Sequence, residues 1–176
     1  MSQHALQTHE RSCLTEMYQT ILPVFNVLHV SRLCYRFSRA KLGSKLLSSQ
    51  MARSDRSSYI CANWLNNTSH NICRPGYVQF FFKHNITLEK PNKDKVFAQS
   101  LLACIGWYKP HPEKNYLHPP VTLWYPDLEP ISAASFMPIN RIACRCTQSQ
   151  TYMEFTERPY NNGQAVIIPI DFVDFI

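Results

Sequence analysis

Ile105-Gly106-Trp107-Tyr108-Lys109-Pro110, Val121-Thr122-Leu123-Trp124-Tyr125 and Phe136-Met137-Pro138-Ile139-Asn140-Arg141-Ile142-Ala143-Cys144-Arg145-Cys146 are the pieces of one stretch, Leu101 to Cys146, whose reading decides the fold. Each is a short apolar or aromatic run bounded by proline or a polar turn, the spacing of strands rather than helices. Val96 to Tyr108 is apolar on both faces, as in a strand covered on both sides. Gly106 inside it predicts a bulge or the close approach of another backbone. Pro110, Pro112, Pro119 and Pro120 hold the next loop extended, and Pro126-Asp127 to Glu129-Pro130 reads as an acidic turn.

Working upstream, Tyr77 to Leu88 is the clearest strand in the chain. Val78, Phe80, Phe82, His84, Ile86 and Leu88 occupy one face, with Gln79, Lys83, Asn85 and Thr87 opposite and Phe81 as the exception. His84 on the apolar face reads as a hydrogen-bonded core or rim histidine rather than a catalyst. Pro75-Gly76 is a turn signal before this strand, and Glu89 to Lys95 a hairpin connection after it. Ser57-Ser58-Tyr59-Ile60 to Leu65 alternates as another strand. Downstream, Thr147 to Arg158 holds a weaker one, Tyr160-Asn161-Asn162-Gly163 a turn, and Ala165 to Ile170 a last apolar strand.

The first third reads differently. Residues 1–10 are polar and loose. From Ser12, a helix cap, Leu14, Tyr18, Ile21 and Leu22 recur at helical steps until Pro23. Phe25, Leu28, Leu33 and Phe37 continue the series, and Arg32, Arg36 and Arg39 fall at i, i+4 and i+7, one basic helical stripe. The chain is therefore expected to comprise a basic helical leader and linker over residues 1–50 and a β domain over 51–176. The fold class expected is mainly β, a small β-barrel with an N-terminal helical extension.

Charge follows this division. Of 18 Lys/Arg and 12 Asp/Glu, residues 1–50 hold six basic and two acidic residues, whereas residues 57–176 hold ten and nine. A basic leader on a near-neutral body fits a nucleic acid or an acidic partner, and equally a solvated face. No apolar N-terminal run reads as a signal peptide, which implies an intracellular location and reduced thiols. The seven cysteines lack zinc-knuckle spacing: Cys144 and Cys146 are two apart, and His111 and His118 are seven apart. No metal and no cofactor are expected from spacing. Nor does any run approach the roughly 20 apolar residues of a membrane span. Nucleophile elbows, zinc-protease helices and glycine-rich phosphate loops are all missing, so no catalytic residue is assigned.

The order of features from Trp107-Tyr108-Lys109-Pro110, through Val121 to Tyr125, to Pro138-Ile139-Asn140-Arg141-Ile142-Ala143-Cys144-Arg145-Cys146 resembles the core of bromo-adjacent homology domains. Together with Ser57-Ser58-Tyr59-Ile60 and Val78-Gln79-Phe80-Phe81-Phe82-Lys83-His84, it is most similar to modules of multicopy fungal proteins associated with mobile elements. The resemblance implies a barrel that engages a protein or peptide partner, at chromatin and hence in the nucleus.

Two sets of residues follow as candidate sites. Tyr59, Trp64, Trp107, Tyr108, Trp124 and Tyr125 have the chemistry of an aromatic cage for a methylated ammonium group, although barrel core and rim is the more ordinary use of such residues. Arg32, Arg36, Arg39, Lys41 and Lys45 are the candidate nucleic-acid contacts of a mobile-element accessory segment. A third expectation is a fragment of a longer protein without independent activity.

Overall fold

The computed structural model describes residues 2–53, 58–65, 71–112, 114–115, 121–151 and 164–169. The expected turn at Tyr160-Asn161-Asn162-Gly163 lies outside them. The elements are β1 (Ser2–Ala5), α1 (Thr8–Ile21), β2 (Asn26–Phe37), β3 (Arg39–Leu42), β4 (Lys45–Ser48), β5 (Tyr59–Leu65), β6 (Asn71–Glu89), β7 (Lys95–Pro110), β8 (Thr122–Leu128), β9 (Phe136–Pro138), β10 (Ile142–Thr151) and β11 (Gln164–Pro169). The protein is mainly β with one α-helix among the described residues, as expected in outline.

The sheet is open. Its nine strands run β1-β2-β6-β5-β10-β11-β8-β7-β9, with ends at β1 and β9, so the sheet is not the closed barrel expected from the sequence. The cause is the length of β6. Its first part pairs with β5 from Asn71 to Tyr77, and further along the same edge it pairs with β2 from Phe81 to Glu89. An additional β6–β7 pairing joins two internal strands. Hydrogen-bonded neighbours therefore run β5–β6–β7–β8–β11–β10 and back to β5, beside the open part of the sheet.

The leader is helical only over Thr8–Ile21, where Gln7 rather than Ser12 is the cap and Glu10 completes a capping box. Ser2–Ala5, expected to be loose, pairs antiparallel with Leu33–Arg36. Residues 26–37, expected to be helical, form β2, so the basic helical stripe does not exist. Arg32 and Arg36 lie on β2, Arg39 and Lys41 on β3 and Lys45 on β4. The competing signal is burial: Val30 and Cys34 point into the core, while Leu28 and Leu33 are exposed. Register shifts between Val27 and His29 and between Val30 and Cys34 mask the two-residue period that betrays a strand.

Pro75-Gly76 sits inside β6 rather than in a turn before it. Val78 N–H donates to the Ser58 carbonyl, which makes that pair hydrogen-bonded and, by alternation, Cys61 opposite Pro75 a non-bonded pair. Pairing with β7 begins only at Gly76, so the N–H that Pro75 lacks is not needed on either side.

A bulge at Gln79 explains the odd position of Phe81. Val78 pairs Ile105 while Phe80 pairs Cys104, so one residue is extra on β6 and facing inverts across it. Val78 and Phe81 consequently share one cluster with Ala103, Ile105 and Trp107, roofed by Ala40 and Leu47 of the β3–β4 hairpin. Phe80, Phe82, Ile86, Leu88, Leu102 and Cys104 join Leu14, Met17 and Tyr18 of α1 in a second cluster on the opposite face. Among the described residues no helix is long and apolar enough to cross a membrane.

Candidate functional site

The strand circuit encloses a third, smaller cluster. Cys61 (β5), Tyr108 (β7), Trp124 (β8), Cys144 and Cys146 (β10) and Ile167 (β11) are buried together, with Tyr59 packed against them. Strand pairing dictates this convergence. Cys61 lies directly opposite Cys144 across β5 and β10. Cys146 follows two residues on and shares its face. Cys73 on β6 lies opposite Asn63, two residues from Cys61, and so shares the face of Cys61. The Sγ atoms of Cys61, Cys73 and Cys144 all fall within 4.8 Å of one another, with Cys73 at the exposed rim.

The electrostatics reflect that crowding. Hydrogen bonding to Cys144 and Cys146 raises the pKa of the Cys61 thiol, with burial adding to it. Contacts with Cys144 and Cys61 raise that of Cys73 in the same way. Burial likewise pushes the Tyr108 phenol up. Spacing along the sequence gave no hint of this group, because its members come from three strands brought side by side.

Of the six candidate aromatics, the structure unites Tyr59, Tyr108 and Trp124 in this cluster. Trp107 faces the other way, 1% exposed, donating its indole N–H to the Ala134 carbonyl at 2.7 Å. Trp124 donates its own to Thr122 Oγ1 at 2.9 Å. Tyr125 packs on His111, ring centroids 4.8 Å apart. The side chain of Trp64 lies outside the described residues. With Trp107, Tyr108 and Trp124 buried, these three contribute packing to the fold as it stands.

Among the candidate basic residues, Arg36 is engaged: its guanidinium reaches Glu10 Oε1 at 3.1 Å and lies 3.9 Å from the centroid of the Phe80 ring. Arg32, Arg39 and Lys41 are exposed and Lys45 half-buried.

A surface that sequence reasoning missed lies on the open part of the sheet. Lys83 of β6 is flanked by its register partners Tyr35 on β2 and Leu101 on β7, and Thr87 by His29 and Phe97. Leu33, Tyr35, Phe97 and Leu101 are all exposed, Phe97 by 80%. Between them Gln99 donates to Asn85 at 3.2 Å. The alternation of β6 pointed to a solvated face here, but the apolar residues on it come from β2 and β7.

No family model, curated protein or solved structure matches the chain.

Proposed function

We propose that this protein is a non-catalytic interaction module, of bromo-adjacent homology type, that engages a protein or peptide partner. The observation that carries this reading is the patch of Leu33, Tyr35, Phe97 and Leu101 exposed along β6 from Lys83 to Thr87. Grouped exposed apolar side chains mark interaction surfaces. Lys83 at one end of the patch suits a partner with apolar and acidic side chains. The strand circuit β5–β6–β7–β8–β11–β10 is the barrel of this reading. Chromatin as the setting, and with it a nuclear location, rests on the motif order from Trp107-Tyr108-Lys109-Pro110 to Cys146. The test is an array of histone-tail peptides probed with wild type and Phe97→Asp. Because Phe97 is 80% exposed, the variant should keep the wild-type circular dichroism and urea midpoint. Its affinity should fall about tenfold or more, as for a central aromatic contact. A folded wild type that binds no tail peptide ends the chromatin reading, and binding indifferent to Phe97→Asp ends the assignment of this face.

A second reading, a nucleic-acid-binding segment of a mobile-element protein, draws on Arg32, Arg39 and Lys41 being exposed on β2 and β3. Arg36 drops from the set because Glu10 holds it. Substituting Arg39 and Lys41 by alanine should then weaken DNA or RNA binding and flatten its salt dependence by about one unit of slope for each phosphate-binding cation removed. An unchanged salt slope removes this reading.

A further inference from the structure

We propose that Cys61, Cys73, Cys144 and Cys146 form a tetrahedral thiolate site for a structural Zn²⁺ ion inside the strand circuit. A tetrahedral ion with Zn–S bonds near 2.3 Å separates its sulfurs by about 3.8 Å. Three Sγ atoms already within 4.8 Å of one another need only small rotamer shifts to meet such an ion. Cys146 supplies the fourth ligand, being buried in the same cluster as Cys61 and Cys144 and on the same strand face as Cys144. The spread of these sulfurs suits a single ion, whereas a multinuclear cluster holds its ligands farther apart. An all-sulfur donor set selects soft or borderline metals such as zinc over magnesium or calcium.

The surroundings fit a closed, structural role. Tyr108, Trp124 and Ile167 pack around the thiols, leaving Cys73 at the rim as the ligand nearest solvent. Among the described residues, the buried members of this cluster beyond the cysteines are those three side chains. A metal cross-link between strands adds its binding free energy to the stability of the fold that holds it. Cysteine usage elsewhere differs: Cys13, Cys34 and Cys104 lie in the helix-side cluster among aliphatic and aromatic residues. Tying β5, β6 and β10 together at one point also fixes strands that are remote in sequence.

The experiment uses the full chain, reduced and stripped with a chelator, then titrated with Co²⁺ and afterwards with Zn²⁺. The expected result is one Co²⁺ per chain, with thiolate-to-metal charge transfer and the visible bands of a tetrahedral site, both abolished by Zn²⁺. Cys73→Ser, at the rim, should lower affinity by at least about 100-fold, since even outer-sphere partners are worth 10- to 100-fold. Cys104→Ser, whose hydroxyl can keep the bond to Gln79 that the thiol makes at 3.7 Å, should bind as wild type. Should either variant fold poorly, alkylation of the wild type decides: Zn²⁺ should protect Cys61, Cys73, Cys144 and Cys146 and leave the other cysteines as reactive as in the metal-free protein. Absence of charge transfer, protection of a different set of thiols, or disulfides among these four in the isolated protein would each overturn the site.

Discussion

The phenol of Tyr18 on α1 meets the imidazole of His84 on β6 inside the core, with ring centroids 5.6 Å apart and the hydroxyl 3.5 Å from Nε2. This contact fastens the helix to the sheet, and it places a titratable group where water does not reach. His84 is 2% exposed, and its Nδ1 has no hydrogen-bond partner among the described residues.

Acid sensitivity follows. Burial lowers the His84 pKa from its ordinary value of 6.5. The unfolded chain then binds more protons than the folded one between the two values, so stability falls as pH drops below about 6.5 and is level above it. Urea midpoints at pH 7.5 and 5.5 should differ more in wild type than in His84→Gln, which carries no titrating ring. Equal differences in the two proteins would show that His84 does not contribute.

The second prediction concerns the helix N-terminus. Glu10 accepts the Gln7 N–H through Oε2 at 2.8 Å and bonds Arg36 through Oε1 at 3.1 Å, so one carboxylate both caps α1 and anchors it to β2. A double-mutant cycle with Glu10→Gln and Arg36→Met should give a coupling of about 1 kcal/mol, the upper end for partly exposed pairs, that shrinks in high salt. No measurable coupling would mean the pair is incidental.

Glycine substitutions should separate crowding from backbone strain. A Cβ at Gly76 would lie 2.5 Å from Ile105 Cγ2 and 2.9 Å from Trp107 Cε3, and the Trp107 ring is pinned by its bond to Ala134. Gly76→Ala should cost about 1–3 kcal/mol by overpacking. Gly43 has φ +59° with nothing among the described residues within 4 Å of its Cβ position, so Gly43→Ala should cost about 1 kcal/mol from conformation alone. Thermal melts of the two variants give the comparison, and a loss at Gly76 well below about 1 kcal/mol would refute the packing argument there.

How far the sequence revealed this depends on where each residue's partners lie. The hairpin from β6 to β7 was legible because its signals are local: alternation through Lys83, His84 and Asn85, and a five-residue connection between the paired Glu89 and Lys95. The core role of His84 was legible for the same reason. Gly106 suggested a bulge or another backbone close by, whereas what crowds it is side chain: a Cβ there would meet Leu128 Cδ1 at 2.7 Å and Gln79 Nε2 at 3.2 Å. β2 was misread because bulges interrupt its period and its large apolar residues, Leu28 and Leu33, face solvent. The thiol cluster stayed hidden because Cys61, Cys73 and Cys144 meet through sheet register, which no spacing rule along one segment encodes.

Phe81 and Phe82 are chain neighbours that belong to different clusters on opposite faces of one strand. Gaining or losing a single residue between the Gln79 bulge and Leu88 would exchange the occupants of those two interiors, sending Lys83 and Asn85 toward the helix and Phe82 and Ile86 away from it. Natural insertions and deletions should therefore avoid this span and collect in the 90–94 connection, where a change of length alters only a turn.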